Sequence, residues 1–107
     1  MRYLLLVHKA EDQPGAWRLP MTAPSPPGSV REMGALRPSS SATTVKLGAG
    51  KPVLIDGAFT SAQEQPAGYY IVDCADLDQA IAWAARITPA PGCELWVEIR
   101  PVAPMPS

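Results

Sequence analysis

The chain has 107 residues, and its nine Lys and Arg nearly balance ten Asp and Glu, for a formal net charge of −1 with the single His neutral. That length fits one domain spanning 1–107, and the scattered basic residues form no stripe to neutralise a phosphate backbone, so a nucleic-acid partner is disfavoured. Cys74 and Cys93 stand alone without a CxxC or a nearby His, which removes the usual zinc spacings; no metal site and no cofactor is expected.

Arg2 to His8, RYLLLVH, has Tyr3, Leu5 and Val7 on one face and Leu4 and Leu6 on the other, the pattern of an inner strand covered on both sides. The run is too short for a signal core or a membrane span and is followed at once by charge, which points to the cytoplasm and away from a membrane partner. From about residue 13 to 38 the chain is rich in proline and has no sustained period. It reads as an irregular segment with at most a turn or two of helix at Ser29 to Met33, stopped by Gly34.

Order returns with the β-branched run Ala42 to Leu47, a Gly-containing turn at Gly48 to Lys51, and a second run, Pro52 to Ile55, together a hairpin. GAGK is no phosphate loop: Pro52 follows the Lys and no helix begins there. Gly68 to Cys74, GYYIVDC, reads as another strand. The clearest element is a helix over about 76–87, with Asp76 as N-cap, Gln79 three residues on, and Leu77, Ile81 and Ala84, joined by Ala80 and Ile87, as its apolar face. The last strand, CELWVEIRPV, puts Cys93, Leu95, Val97 and Ile99 on one face and Glu94, Trp96, Glu98 and Arg100 on the other. The order predicts an α+β fold, a ferredoxin-like antiparallel sheet with one secure helix and an eroded first helix.

Few polar residues are candidates for chemistry. Asp56 begins DGAFTSAQEQPAG, where an Asp-Gly pair after a strand is either a structural turn or the start of a site loop. His8 is the natural acid-base candidate and equally a solvent-touching strand end; it meets Asp56 only if those two strand ends share one side of the sheet. Tyr69 and Tyr70 point to opposite faces, one toward the core and one outward, and an inward hydroxyl needs a partner or lines a pocket. Glu64 and Gln65 have no defined spacing to a nucleophile. An outward Trp96 suits a subunit interface or a ligand platform.

MRYLLLVHKAED, SATTVKL, the stretch DGAFTSAQEQPAGYYIVDCADLDQAIAWAARI and the closing VEIRPV occur in an order that resembles the YCII-related family, in the branch named for its D-G-P-F motif. The resemblance covers the chain except for about residues 13–28. It implies a dimeric α+β barrel in which two ferredoxin-like subunits face their sheets together, with a small cleft near the motif loop. It also implies an enzyme or small-ligand binder, with a homodimer and a small organic ligand as partners. Asp56 and His8 are then the catalytic candidates, and Phe59, Tyr69, Tyr70 and Glu64 the ligand-binding ones. The alternative it implies is a non-catalytic regulatory or interaction module associated with sigma factors of the extracytoplasmic-function type. Whether the chain is an enzyme stays open, because it departs from the family pattern at Ala58 for Pro, Ser61 for Glu and Gln63 for Lys. In relatives with a His-Asp site the His comes from the first helix, which has no counterpart here, so His8 does not inherit that role.

Overall fold

The computed structural model describes residues 1–13, 15–48 and 50–105; Pro14 of the Pro-rich segment, Ala49 of the predicted turn and the last two residues of the tail lie outside them. In chain order the strands and helix are β1 (Arg2–Ala10), β2 (Trp17–Arg18), β3 (Ser29–Ala35), β4 (Thr43–Lys46), β5 (Val53–Asp56), β6 (Glu64–Asp73), α1 (Leu77–Ala84), β7 (Thr88–Pro89) and β8 (Trp96–Pro101). Four of them form one antiparallel sheet in the order β3-β6-β1-β8. Numbered along the chain, the order is second, third, first, fourth, which is consistent with a ferredoxin-like α+β fold.

One face of this sheet carries the core. Tyr3, Leu5, Val7, Tyr70 and Val72 are buried there against Ala80, Trp83 and Ile87 from α1 and its continuation, flanked by Leu95, Val97 and Ile99. Helix α1 begins where its cap chemistry places it: the Asp76 carboxylate accepts from the Gln79 N–H at 3.0 Å, and the Gln79 side chain accepts from the Ala75 N–H at 2.8 Å. It is shorter than predicted, ending at Ala84, and its inward face is turned. Trp83 is buried while Leu77 and Ile81 are exposed. The Trp83 indole decides this orientation, since its N–H must find an acceptor when buried and donates to the Pro27 carbonyl at 2.9 Å.

Two expectations are corrected. The second sheet strand is β3, within the stretch read as irregular with a turn of helix at Ser29 to Met33, and β4 and β5 form a separate two-stranded pair that, among the described residues, joins no other strand. β3 is an edge strand that pairs with β6 alone, and a register shift between Val30 and Glu32 breaks its alternation. The crossover from β1 to β3 contains no helix among the described residues. Side chains hold it instead: the Trp17 N–H donates to the Tyr70 hydroxyl at 3.0 Å, and the Arg86 guanidinium donates to the carbonyls of Pro24 at 2.5 Å and Thr22 at 2.9 Å. The Trp17 ring occupies the space that a Cβ at Gly68 would need, so a close approach of backbone and indole accounts for that glycine. Gly28 precedes β3 with φ +103°, and a Cβ there would crowd Cys74.

The helix and the crossover both lie on the core face. The opposite face, with Leu4, Leu6, Tyr69 and Ile71 half-buried and Trp96 exposed, has no covering element among the described residues. The molecule is accordingly thin, with extents of 51 × 41 × 17 Å.

Candidate functional site

The structure places the six predicted site residues in three regions. His8 and Tyr69 lie on the open sheet face. His8 Nε2 stands 3.2 Å from Glu98 Oε1, and Arg100 donates to the other Glu98 oxygen from Nη2 at 2.6 Å and from Nε at 2.7 Å. These contacts, Arg100 first and then His8, hold the Glu98 carboxyl below its ordinary range. Tyr69 donates to Glu32 at 2.7 Å, and that carboxylate pushes the phenol pKa up. Tyr70 is on the core face, its hydroxyl engaged by Trp17.

The third region is the loop between β5 and β6. Asp56 is the last residue of β5, opposite Thr43; it is exposed and its carboxylate makes no hydrogen bond among the described residues. It therefore neither meets His8 nor caps its own turn, where the Gly57 N–H instead donates to the Ala42 carbonyl at 2.8 Å. Glu64 opens β6 opposite Ala10 and is exposed. Phe59 is 93% exposed, yet it is among the residues that line a hollow.

Three hollows meet at the start of β6, two of them lined by this loop, and one residue belongs to all three: Gln65. It is 5% exposed, and its Nε2 donates to the carbonyls of Thr60 at 2.9 Å and Ala62 at 2.7 Å. Both partners are carbonyl oxygens that only accept, so the orientation of the amide is determined. Its Oε1 is left without a hydrogen bond among the described residues and is not sealed from solvent. A buried glutamine thus does two things: it ties down the loop with its nitrogen and presents a bare acceptor with its oxygen.

The hollow of about 990 Å³ lies between the chain from Leu36 to Thr44 and the loop from Ala58 to Thr60, with Gln65 and Pro66 as its floor. Its wall is mainly apolar and includes one ionisable side chain, Arg37; no His, Cys, Asp or Glu lines it among the described residues. A neighbouring hollow of about 370 Å³ adds Lys9 and Glu11. Glu11 accepts from the Ser39 hydroxyl and from the Ser39 N–H at 2.6 Å, which, the hydroxyl first, lower its pKa and pin the turn Ser39–Ser41 to the end of β1. Gln63 donates to both oxygens of Asp12 at 3.2 Å and ties the loop to the same place.

Sequence reasoning set Gln65 aside, with Glu64, because neither has a defined spacing to a nucleophile. The signal that could have found it is Ala10, Lys9 and His8 pairing with Glu64, Gln65 and Pro66, which continues β6 past its proline across a register shift.

A family model described as YCII-related domain matches residues 1–106. An uncharacterized protein of Rhizobium meliloti (strain 1021) is 34% identical over 76 residues, which are 71% of this chain and 61% of that relative. The match thus spans about three fifths of the relative's length, 61%.

Proposed function

The chain belongs to the YCII-related domain family, and from that membership we propose that it binds a small organic ligand in the hollow walled by the Gly57–Thr60 loop and floored by Gln65. The observation that carries this reading is the nearly buried Gln65, which lines the hollow, with its nitrogen holding the loop and its oxygen without a hydrogen bond among the described residues. Sites for small molecules are mostly apolar concavities with few placed polar groups, and this hollow fits that description. Among the described residues its wall has no His, Cys, Asp or Glu, which favours binding over catalysis.

On this reading the chain belongs to the D-G-P-F branch on the strength of Asp56, Gly57 and Phe59. Asp56 lies outside the hollow, at the root of the loop, and Asp56→Asn leaves ligand affinity within about twofold, as is usual for an exposed side chain with no partner among the described residues. The working form is a homodimer that closes a barrel by facing the two open sheet surfaces together. One comparison supports this: a compact protein of 11.4 kDa exposes roughly 5,800 Å², whereas this chain exposes 7503 Å². The excess is larger than the roughly 800 Å² that a standard interface removes from each partner.

The test is chemical-shift mapping of the labelled chain against a library of small organic molecules. Binding is expected to perturb the amides of Gly57 to Thr60 and Gln65 to Ala67. Hits that perturb only the open sheet face around His8 and Glu98 would sink the assignment.

A second reading draws on the hairpin, where Leu47 and Leu54 are 73% and 72% exposed and Val45, Val53 and Ile55 are also exposed. Such a projection suits an interaction module, here one allied to extracytoplasmic-function sigma factors. It predicts that Leu54→Lys abolishes capture of a sigma-factor domain while leaving the ligand shifts unchanged.

A further inference from the structure

The polar groups of the hollow floored by Gln65 are unequally available. Ser41 gives its hydroxyl proton to the Pro38 carbonyl at 2.7 Å, and Thr44 gives its own to the Gly57 carbonyl at 2.8 Å. Ser39 gives its proton to Glu11, and the Gln65 nitrogen has both hydrogens on loop carbonyls. A hydroxyl has one proton, so these side chains face a ligand with lone pairs only. Thr60 differs: its oxygen accepts from the Ala62 N–H at 3.2 Å and its proton is uncommitted.

Arg37 is the other side chain here that offers donors. Among the described residues it makes no ion pair and is the single charge on this wall. The next cation, Lys9, belongs to the neighbouring hollow and directs its ammonium to the carbonyls of Gln13 at 2.9 Å and Gly15 at 3.4 Å. A guanidinium presents a planar fork of N–H donors matched to a carboxylate. One cation matches one negative charge.

Building on the binding site assigned above, we propose that the ligand is a small amphipathic organic acid, whose carboxylate pairs with Arg37, whose N–H or O–H donor meets Gln65 Oε1, and whose apolar body lies against Phe59 and Pro66. The alternatives fit less well for stated reasons. A cationic ligand meets Arg37 with like charge. A ligand with acceptors alone leaves Gln65 Oε1 facing lone pairs, and a buried polar group left unpaired lowers affinity. A dianionic phosphate monoester brings twice the charge that this wall balances.

The experiment titrates four related probes into the full chain and follows the amides of Ala58 to Thr60 and Gln65 to Ala67. The probes are N-acetylphenylalanine, its neutral amide, hydrocinnamate without the N–H, and phenethylamine as the cation. N-acetylphenylalanine is expected to bind at least about tenfold tighter than its amide, the step that a charge-assisted hydrogen bond confers. Arg37→Leu is expected to bring the acid down to the level of the amide while leaving the amide unchanged; Arg37 is exposed, so this variant keeps its fold. Equal or tighter binding of the amide or the amine at these residues overturns the acid assignment and leaves the hollow as the site. Hydrocinnamate binding as tightly as N-acetylphenylalanine overturns the donor contact to Gln65. If none of the four perturbs these amides, the hollow is not the binding site and the reading beneath the proposal falls with it.

Discussion

Gln65 and Glu98 are each governed by the groups within hydrogen-bond reach, and neither environment can be read from local sequence. Gln65 acquires its role from two carbonyls three and five residues upstream, Ala62 and Thr60, brought beneath it by a loop with no periodic pattern. Asp56 drew notice because Asp-Gly is a recognised turn pair, yet the loop closes through a backbone bond and the carboxylate stays outside. Glu98 acquires its lowered pKa from Arg100, two positions on, and from His8 across the sheet. The alternation of β8 already placed Glu98 and Arg100 on one face; the link to His8 required the register. The sign of the pH effect follows. A carboxyl held below its ordinary value contributes stability that is present above the ordinary glutamate range, around pH 4.3, and is lost as pH falls through the lower folded value. The thermal midpoint should therefore drop as the pH is taken below that range, and Glu98→Gln should make this part of the profile shallower. A profile identical in the variant would remove Glu98 from the account.

Among the elements, α1 was legible at its start and less so beyond. Cap chemistry is local, and Asp76 with Gln79 gives it unambiguously; the inward face is set by Trp83, whose acceptor is in the Pro-rich crossover far along the chain. Asp76→Ala removes one helix-end hydrogen bond and should cost about 1 kcal/mol in urea unfolding, within the usual range for an N-cap. A change of only a tenth of that would mean that Trp83 and its packing hold the helix without the cap. β3 was illegible for the reason that weakens every edge strand with a bulge: its order comes from β6, a partner more than thirty residues away by register (Val30 with Val72), and Arg31, Glu32 and Met33 are all exposed. The hairpin of β4 and β5 was legible as a pair because its partners are adjacent in sequence. Its separation from the sheet was not, since β-branched residues on both faces look alike whether a sheet covers them or nothing does.

At the scale of the whole molecule, the strand order follows from counting one strand differently: with Ser29–Ala35 as the second sheet strand, the ferredoxin-like arrangement stands, and the hairpin becomes an insertion before the third. The radius of gyration is 15.9 Å, where a compact chain of this length is near 13 Å. A slab only 17 Å thick with a long projection has little interior relative to its area. If the open sheet faces close on one another as proposed, unfolding becomes a reaction in which one folded species gives two chains, and mass action enters the stability itself. Each tenfold rise in chain concentration would then add about 1.4 kcal/mol to the free energy of unfolding the pair. The melting midpoint would climb across a dilution series, whereas a midpoint that stays level would describe a chain that folds alone. The thinness of the sheet layer would then determine how much of this protein is folded at a given abundance in solution.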